Sequence, residues 1–281
     1  MCHAPRAPQS VFRPPRSQRA FTMIEIAMSL AIIGFALVAI LGVLPLGLSV
    51  QRENREETII NQDANVLLNA IRNGARGMDD LANYVTNLII YNARCDTNGI
   101  RHQTNIYVYT PNALTSAGGF ALNSGSRIIG LLSTPKYIPI TLNGRPVGFY
   151  SNYVVAAFRS FSGPVSEKFP QDNALMQDLA LSYRMISEVV PYGTSYDSVS
   201  KSWVNPMVPN LQSNLHEVRL TFRWPLAKGT NALGRQGYRT VVGGSLQEAN
   251  EPGFLRPNPS VPSPYDLYFF EPRTYVQAKA P

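Results

Sequence analysis

Glu25 is the residue that demands most of its surroundings. It stands inside a stretch that begins at Phe21 and is otherwise apolar, and no charged residue follows it from Ile26 to Val50. A charged side chain at the centre of a membrane helix costs about 2.5–3.5 kcal/mol on insertion scales, less near an interface, so an acid there either snorkels to the headgroups or has a partner. A cut before Phe21 would create one, an α-ammonium four residues away on the same or a neighbouring chain, where low dielectric strengthens the attraction. The other candidate groups carry less chemistry. His3, His102 and His216 are scattered, with no Cys or carboxylate at metal-ligand spacing, so neither a metal site nor a triad is expected. There is no P-loop, no Rossmann glycine fingerprint and no nucleophile elbow. Asp96-Thr97-Asn98-Gly99 resembles the opening of a calcium loop but lacks the later bidentate acid, and an Asn-Gly turn explains it better. Asp79 and Asp80 read as acids at a helix start. Cys95, left without Cys2 if the chain is cut, cannot close an internal disulfide and is expected to be a partly buried small residue rather than a nucleophile. No enzyme activity, metal or cofactor is expected.

The element that must position Glu25 is the apolar run itself. A helix from Ile26 to Val50 would reach roughly 37 Å at ~1.5 Å per residue, longer than the ~30 Å hydrocarbon core of a bilayer. Removable signal peptides have apolar regions of only ~7–15 residues, and no A-x-A cleavage site with a polar flank follows this one. Arg6, Arg13, Arg16 and Arg19 precede the run with no acid among them, whereas Arg52 and Arg55 after it are offset by Glu53, Glu56 and Glu57. The positive-inside rule then keeps the N-terminus cytoplasmic and exports the rest. Setting those four arginines aside takes the net charge from +7 to +3, so the basicity is mainly a tail beside a membrane span. Nucleic acid is not an expected partner on that ground.

Arg19-Ala20-Phe21-Thr22-Met23-Ile24-Glu25-Ile26, continuing to Ala31-Ile32-Ile33-Gly34, resembles the prepilin cleavage and methylation motif of type IV pilins and type II secretion pseudopilins. The resemblance implies that a membrane peptidase cuts between Ala20 and Phe21, that the Phe21 amine is N-methylated, and that Glu25 aligns subunits during assembly. Ala20 replaces the more usual Gly before the cut. The helix-weakening Pro that the family often carries a little earlier falls here at Pro45, with Gly42 upstream, and both residues weaken a helix locally. The partners implied are a prepilin peptidase, other pilin or pseudopilin subunits, and an inner-membrane assembly platform with its ATPase. The implied location is the inner membrane, single-pass, with the head in the periplasm or at the cell surface.

Beyond the span the pattern turns amphipathic. Ile60, Ala64, Leu67, Leu68 and Ile71 share one helical face, while Asn61, Asp63, Asn65, Asn69 and Arg72 fall elsewhere. Gly74 and Gly77 offer stop signals, so one helix is expected from about Thr22 to Ala75. A second helix is expected over Asp79 to Tyr91, with Leu81, Val85, Leu88 and Ile89 at helical spacing. Strands are expected at Asn105–Thr110, Phe149–Phe161, Leu179–Val190, Glu217–Trp224 and Tyr238–Val242. The alternation in Val218 to Trp224 puts four apolar side chains on one face, and Tyr238–Val242 is its expected partner across a turn containing Gly229, Asn231 and Gly234. Tyr192–Asn214 reads as a surface loop. Pro252, Pro257, Pro259, Pro262 and Pro264 favour an extended arm, with Tyr268, Phe269 and Phe270 either pinning it to the head or offering a contact surface to another subunit. The 281 residues and 44% hydrophobic content suit a folded domain.

The expected fold class is α+β, a long N-terminal helix packed on an antiparallel sheet in the manner of a pilin. The expected divisions are a leader at 1–20, a membrane or fibre-core helix at 21–50, its continuation at 51–75, a head at 76–250 and a proline-rich arm at 251–281. The expected function is that of a structural subunit, most like a minor pseudopilin. A head acting as a pilus adhesin or DNA-uptake subunit is the alternative, favoured by any exposed basic or aromatic patch.

Overall fold

The computed structural model describes residues 21–142, 145–163, 181–192, 196–197, 202–203, 208–226, 234–250 and 262–277. The proline-rich stretch 251–261 and all of 227–233, with Gly229 and Asn231, lie outside them. By internal contacts the chain divides into two compact units, Met1–Glu53 and Asn54–Pro281. The first contains the beginning of helix α1 (Met23–Arg72), in which every described apolar side chain up to Val50 is solvent-exposed. A helix apolar all round has no core-facing stripe to bury, and this one is long and apolar enough to cross a membrane.

In the second unit α1 becomes one-sided, and Ile60, Ala64, Leu67, Ala70 and Ile71 are buried. It ends at a Schellman motif. Gly74 adopts φ +56°, its N–H bonds the Ile71 carbonyl at 3.0 Å, and the Ala75 N–H bonds the Ala70 carbonyl at 2.9 Å. The expected second helix is not there. Asp79–Asn83 is one 3₁₀ turn, and the chain then enters strand β1 (Val85–Asp96). A bulge between Val85 and Asn87 turns Val85 and Leu88 toward the same side, which reproduces helical i, i+3 spacing inside a strand.

All strand pairings within the main sheet are antiparallel, and the order is β2-β1-β4-β5-β8-β9, with β3 beside β4. These strands are β2 (Arg101–Tyr109), β3 (Tyr137–Leu142), β4 (Arg145–Arg159), β5 (Ser182–Pro191), β8 (Leu215–Trp224) and β9 (Gly234–Gly243). The α+β expectation holds. Val218, Leu220, Phe222 and Trp224 alternate into the core, and β9 pairs with β8 as the pattern requires, Leu220 opposite Tyr238. The inner face packs with α1 and with α2 (Gly125–Leu132) in one hydrophobic cluster that includes Tyr183, Phe158 and Ile129.

Two segments are more structured than expected. Within 192–214, β6 (Tyr196–Asp197) pairs with β7 (Ser202–Trp203), and α3 spans Val208–Asn214. Near the C-terminus, β10 (Ser245–Asn250) pairs with β11 (Asp266–Glu271) as a second sheet. Leu267, Tyr268, Phe269 and Phe270 of β11 are all buried, so these aromatics are held as a strand against α2, where a side chain at Gly130 would collide with Leu267 and Phe269.

Candidate functional site

Thr22 and Glu25 form a capping box at the start of α1. The Thr22 backbone N–H and hydroxyl both donate to Glu25 Oε2 at 2.9 Å, and the Glu25 N–H donates to Thr22 Oγ1 at 3.3 Å. The pattern T-x-x-E is the reciprocal cap that satisfies two orphan donors at a helix N-terminus. The T-x-x-E spacing is the sequence signal for this cap, and the charge of Glu25 in an apolar run overshadows it. The carboxylate sits where the helix dipole favours negative charge. Both described bonds fall on one oxygen, so Oε1 keeps its acceptor capacity for a further donor. Ser29 reinforces the turn by donating to the Glu25 carbonyl at 2.8 Å.

Phe21 precedes the cap and is 81% exposed; Ala20 lies outside the described residues. Gly42 and Pro45 lie within α1, which is helical on both sides of Pro45. Pro45 has no N–H for the usual bond to the carbonyl four residues back.

The other candidates resolve into structural roles. Asp96 accepts from the N–H groups of Asn98 at 2.9 Å and Ile100 at 2.8 Å, and Gly99 takes φ +82°, so the Asp96–Gly99 segment is the β1–β2 turn. The Ile100 bond foremost, with Asn98 and His102, holds the Asp96 carboxyl below its ordinary range. His102 Nε2 lies 3.7 Å from Asp96 but is exposed. Asp79, at the start of the 3₁₀ turn, also accepts from the Gly125 N–H at 2.9 Å and so ties that turn to α2. Cys95 is buried and free, as expected. His216 is buried against the edge of Phe270, ring centroids 5.4 Å apart, and burial pushes its pKa down to about 4. Among the described residues no three His, Cys, Asp or Glu side chains gather closely enough to hold a metal ion.

Asp63 is where the polar face of α1 departs from expectation. It is fully buried, with Oδ2 accepting from the Phe161 N–H at 3.3 Å and Oδ1 lacking a hydrogen-bond partner. Burial raises its pKa to about 6, against the pull of Ser162, Tyr183 and Phe161. Asn61 also faces the sheet and accepts from the Tyr238 hydroxyl. The signal for both was their spacing, since Ile60 and Ala64 bracket them on the packed side.

Residues 15–41 match the family model of the prokaryotic N-terminal methylation motif. The chain carries a pilin-type methylation segment. No curated protein and no solved structure matches the chain significantly. The matched segment includes the capping box, and it supports a type IV pilin-like or pseudopilin subunit and so points to a structural role. Such a segment implies processing by a prepilin peptidase and assembly with other pilin-type subunits, and the spanning-length helix supports membrane anchoring.

Proposed function

We propose that this chain is a minor-pseudopilin-like subunit of a type II secretion or type IV pilus-type fibre. In this reading the leader 1–20 is removed between Ala20 and Phe21 in the inner membrane, the new amine is methylated, and the head 76–250 is carried to the periplasmic side. Residues 21–50 form the fibre-core helix, 51–75 continue it into the head, and 251–281 follow as the proline-rich C-terminal arm. An assembly platform and its ATPase drive incorporation, and Gly42 and Pro45 let the core helix adjust as subunits pack.

The observation that carries the reading is the carboxylate of Glu25, retained in an apolar helix with one oxygen committed to Thr22 and the other open. A desolvated acid needs a cation, and the nearest one that processing can supply is the Phe21 amine of an adjacent subunit. That pairing requires neighbouring helices to be staggered so that one amine reaches the next carboxylate, which sets the register of assembly. Intact mass and N-terminal peptide analysis of the protein from its native membrane tests this. The expected result is a chain beginning at N-methylated Phe21; a functional chain beginning at Met1, or one cut after the apolar run, overturns it.

A further inference from the structure

We propose that the outer face of the main sheet binds single-stranded nucleic acid, a property independent of N-terminal processing and beyond the assembly role. The register of the sheet aligns three arginines on adjacent strands. Arg184 of β5 is directly opposite Arg223 of β8, which is directly opposite Arg235 of β9. All three point away from the core and are exposed. Like charges opposite one another weaken a sheet, and no acid among the described residues relieves them. The two acids of this face are already engaged, Glu188 with Lys136 at 2.7 Å and Glu217 with Arg219 and Arg239. Among the described residues the row therefore lacks a countercharge, which a polyanion would bring.

Beside the row the sheet forms a trough of about 510 Å³, reached by Arg184 and Arg223 from one side and by Arg101 from another. Among the described residues no carboxylate lines it. Tyr91 of β1 and Tyr153 of β4 are register partners, with ring centroids 6.1 Å apart and both rings partly exposed. The neighbouring row places Ile89, Val155 and Ile186 side by side as an apolar floor. Adjacent aromatic rings on neighbouring strands, an apolar bed and arginines at the rim are the combination that stacks bases while neutralising phosphates. A duplex keeps its base faces inside its own stack and cannot lay them on this floor; a single strand can. Arginine also suits the site, because its planar fork bonds phosphate oxygens in pairs.

The full-length protein in neutral detergent micelles is titrated into a fluorescent oligothymidylate of about 12 nucleotides, within the ~4–16 nucleotide range of single-strand sites. Binding measured by anisotropy is expected to weaken as salt rises. The double variant Arg184→Gln/Arg223→Gln is expected to bind at least about tenfold more weakly, with a salt slope shallower by roughly 1–1.5, since each phosphate contact on a single strand contributes about 0.7. Tyr91→Ala/Tyr153→Ala is expected to weaken binding about tenfold or more with the slope unchanged. Photo-crosslinking of wild-type protein to 4-thiothymidine strands, mapped by peptide mass, needs no variant, and adducts are expected at β1 and β4. Three results would overturn the proposal: no oligothymidylate binding by the wild type, equal binding by well-folded variants with crosslinks elsewhere, or preferential binding of a polygalacturonate oligomer that the arginine variants abolish. The last would assign the face to acidic polysaccharide. None of these results alters the mass of the mature N-terminus, so the two readings fail separately.

Discussion

A carboxylate at position 25 serves two purposes, and a single substitution separates them. Glutamine can take the N3 place in a capping box as glutamate does, so Glu25→Gln keeps the bonds to Thr22 while removing the charge. If the charge aligns subunits, Glu25→Gln and Glu25→Ala should both insert in the membrane yet be depleted from sheared fibres, as read by immunoblot of the two fractions. Thr22→Val should do the reverse. It loses the hydroxyl half of the cap, loosening the helix start by about 1 kcal/mol, but leaves the charge in place, and incorporation should persist. Normal fibres from Glu25→Gln would reduce the acid to a helix cap and remove the electrostatic role. The acid itself was legible because its type contradicts its surroundings; the cap is equally present in T-x-x-E, where the same carboxylate serves both purposes.

At the scale of the element, the end of α1 is set by a single backbone conformation. Gly74 has a positive φ, and a side chain there would run into the Phe270 carbonyl of β11. Gly74→Ala therefore combines the left-handed conformational cost with a clash against backbone that cannot rotate away, and should lower stability by about 2 kcal/mol or more in denaturant unfolding. A change within about 0.5 kcal/mol would mean that β11 does not abut the helix end. The stop was legible, since Gly follows a run of helical periodicity. So was β8, whose alternation leaves one face apolar, and so were β4, β5 and part of β9 from their β-branched and aromatic residues. The strand β1 was not, because its bulge imitates helical spacing between Val85 and Leu88. The helix α2 escaped notice because Gly125 and Gly130 interrupt eight residues, although Ser124 caps it by accepting from the Arg127 N–H. β11 was obscured by the prolines around it, and only tertiary burial of its aromatics makes it a strand. The arginine row was also invisible as a string, because Arg184, Arg223 and Arg235 meet only through strand register.

For the molecule as a whole, two buried groups far apart in sequence, Asp63 and His216, set opposing pH dependences. Asp63 has its folded pKa raised from 3.8 to about 6, so the folded state holds the proton more tightly and stability falls as pH rises through that interval. His216 has its folded pKa lowered from 6.5 to about 4, so the unfolded state takes up the proton first and stability rises over nearly the same interval. Each gap is worth roughly 3 kcal/mol when fully expressed, and the two slopes oppose one another between about pH 4 and pH 6. Asp63→Asn keeps an acceptor for the Phe161 N–H and removes the buried charge. It should unfold at higher denaturant than the wild type at pH 7, by about 1–3 kcal/mol, and its stability should climb with pH from 4 to 6.5. His216→Leu leaves the Asp63 slope unopposed by the imidazole, and its stability should decline from pH 4 to pH 6 instead. Denaturant midpoints at pH 4.5 and 6.5 decide it, because the two variants must move in opposite directions relative to the wild type. Parallel shifts in both would show that neither burial controls the titration.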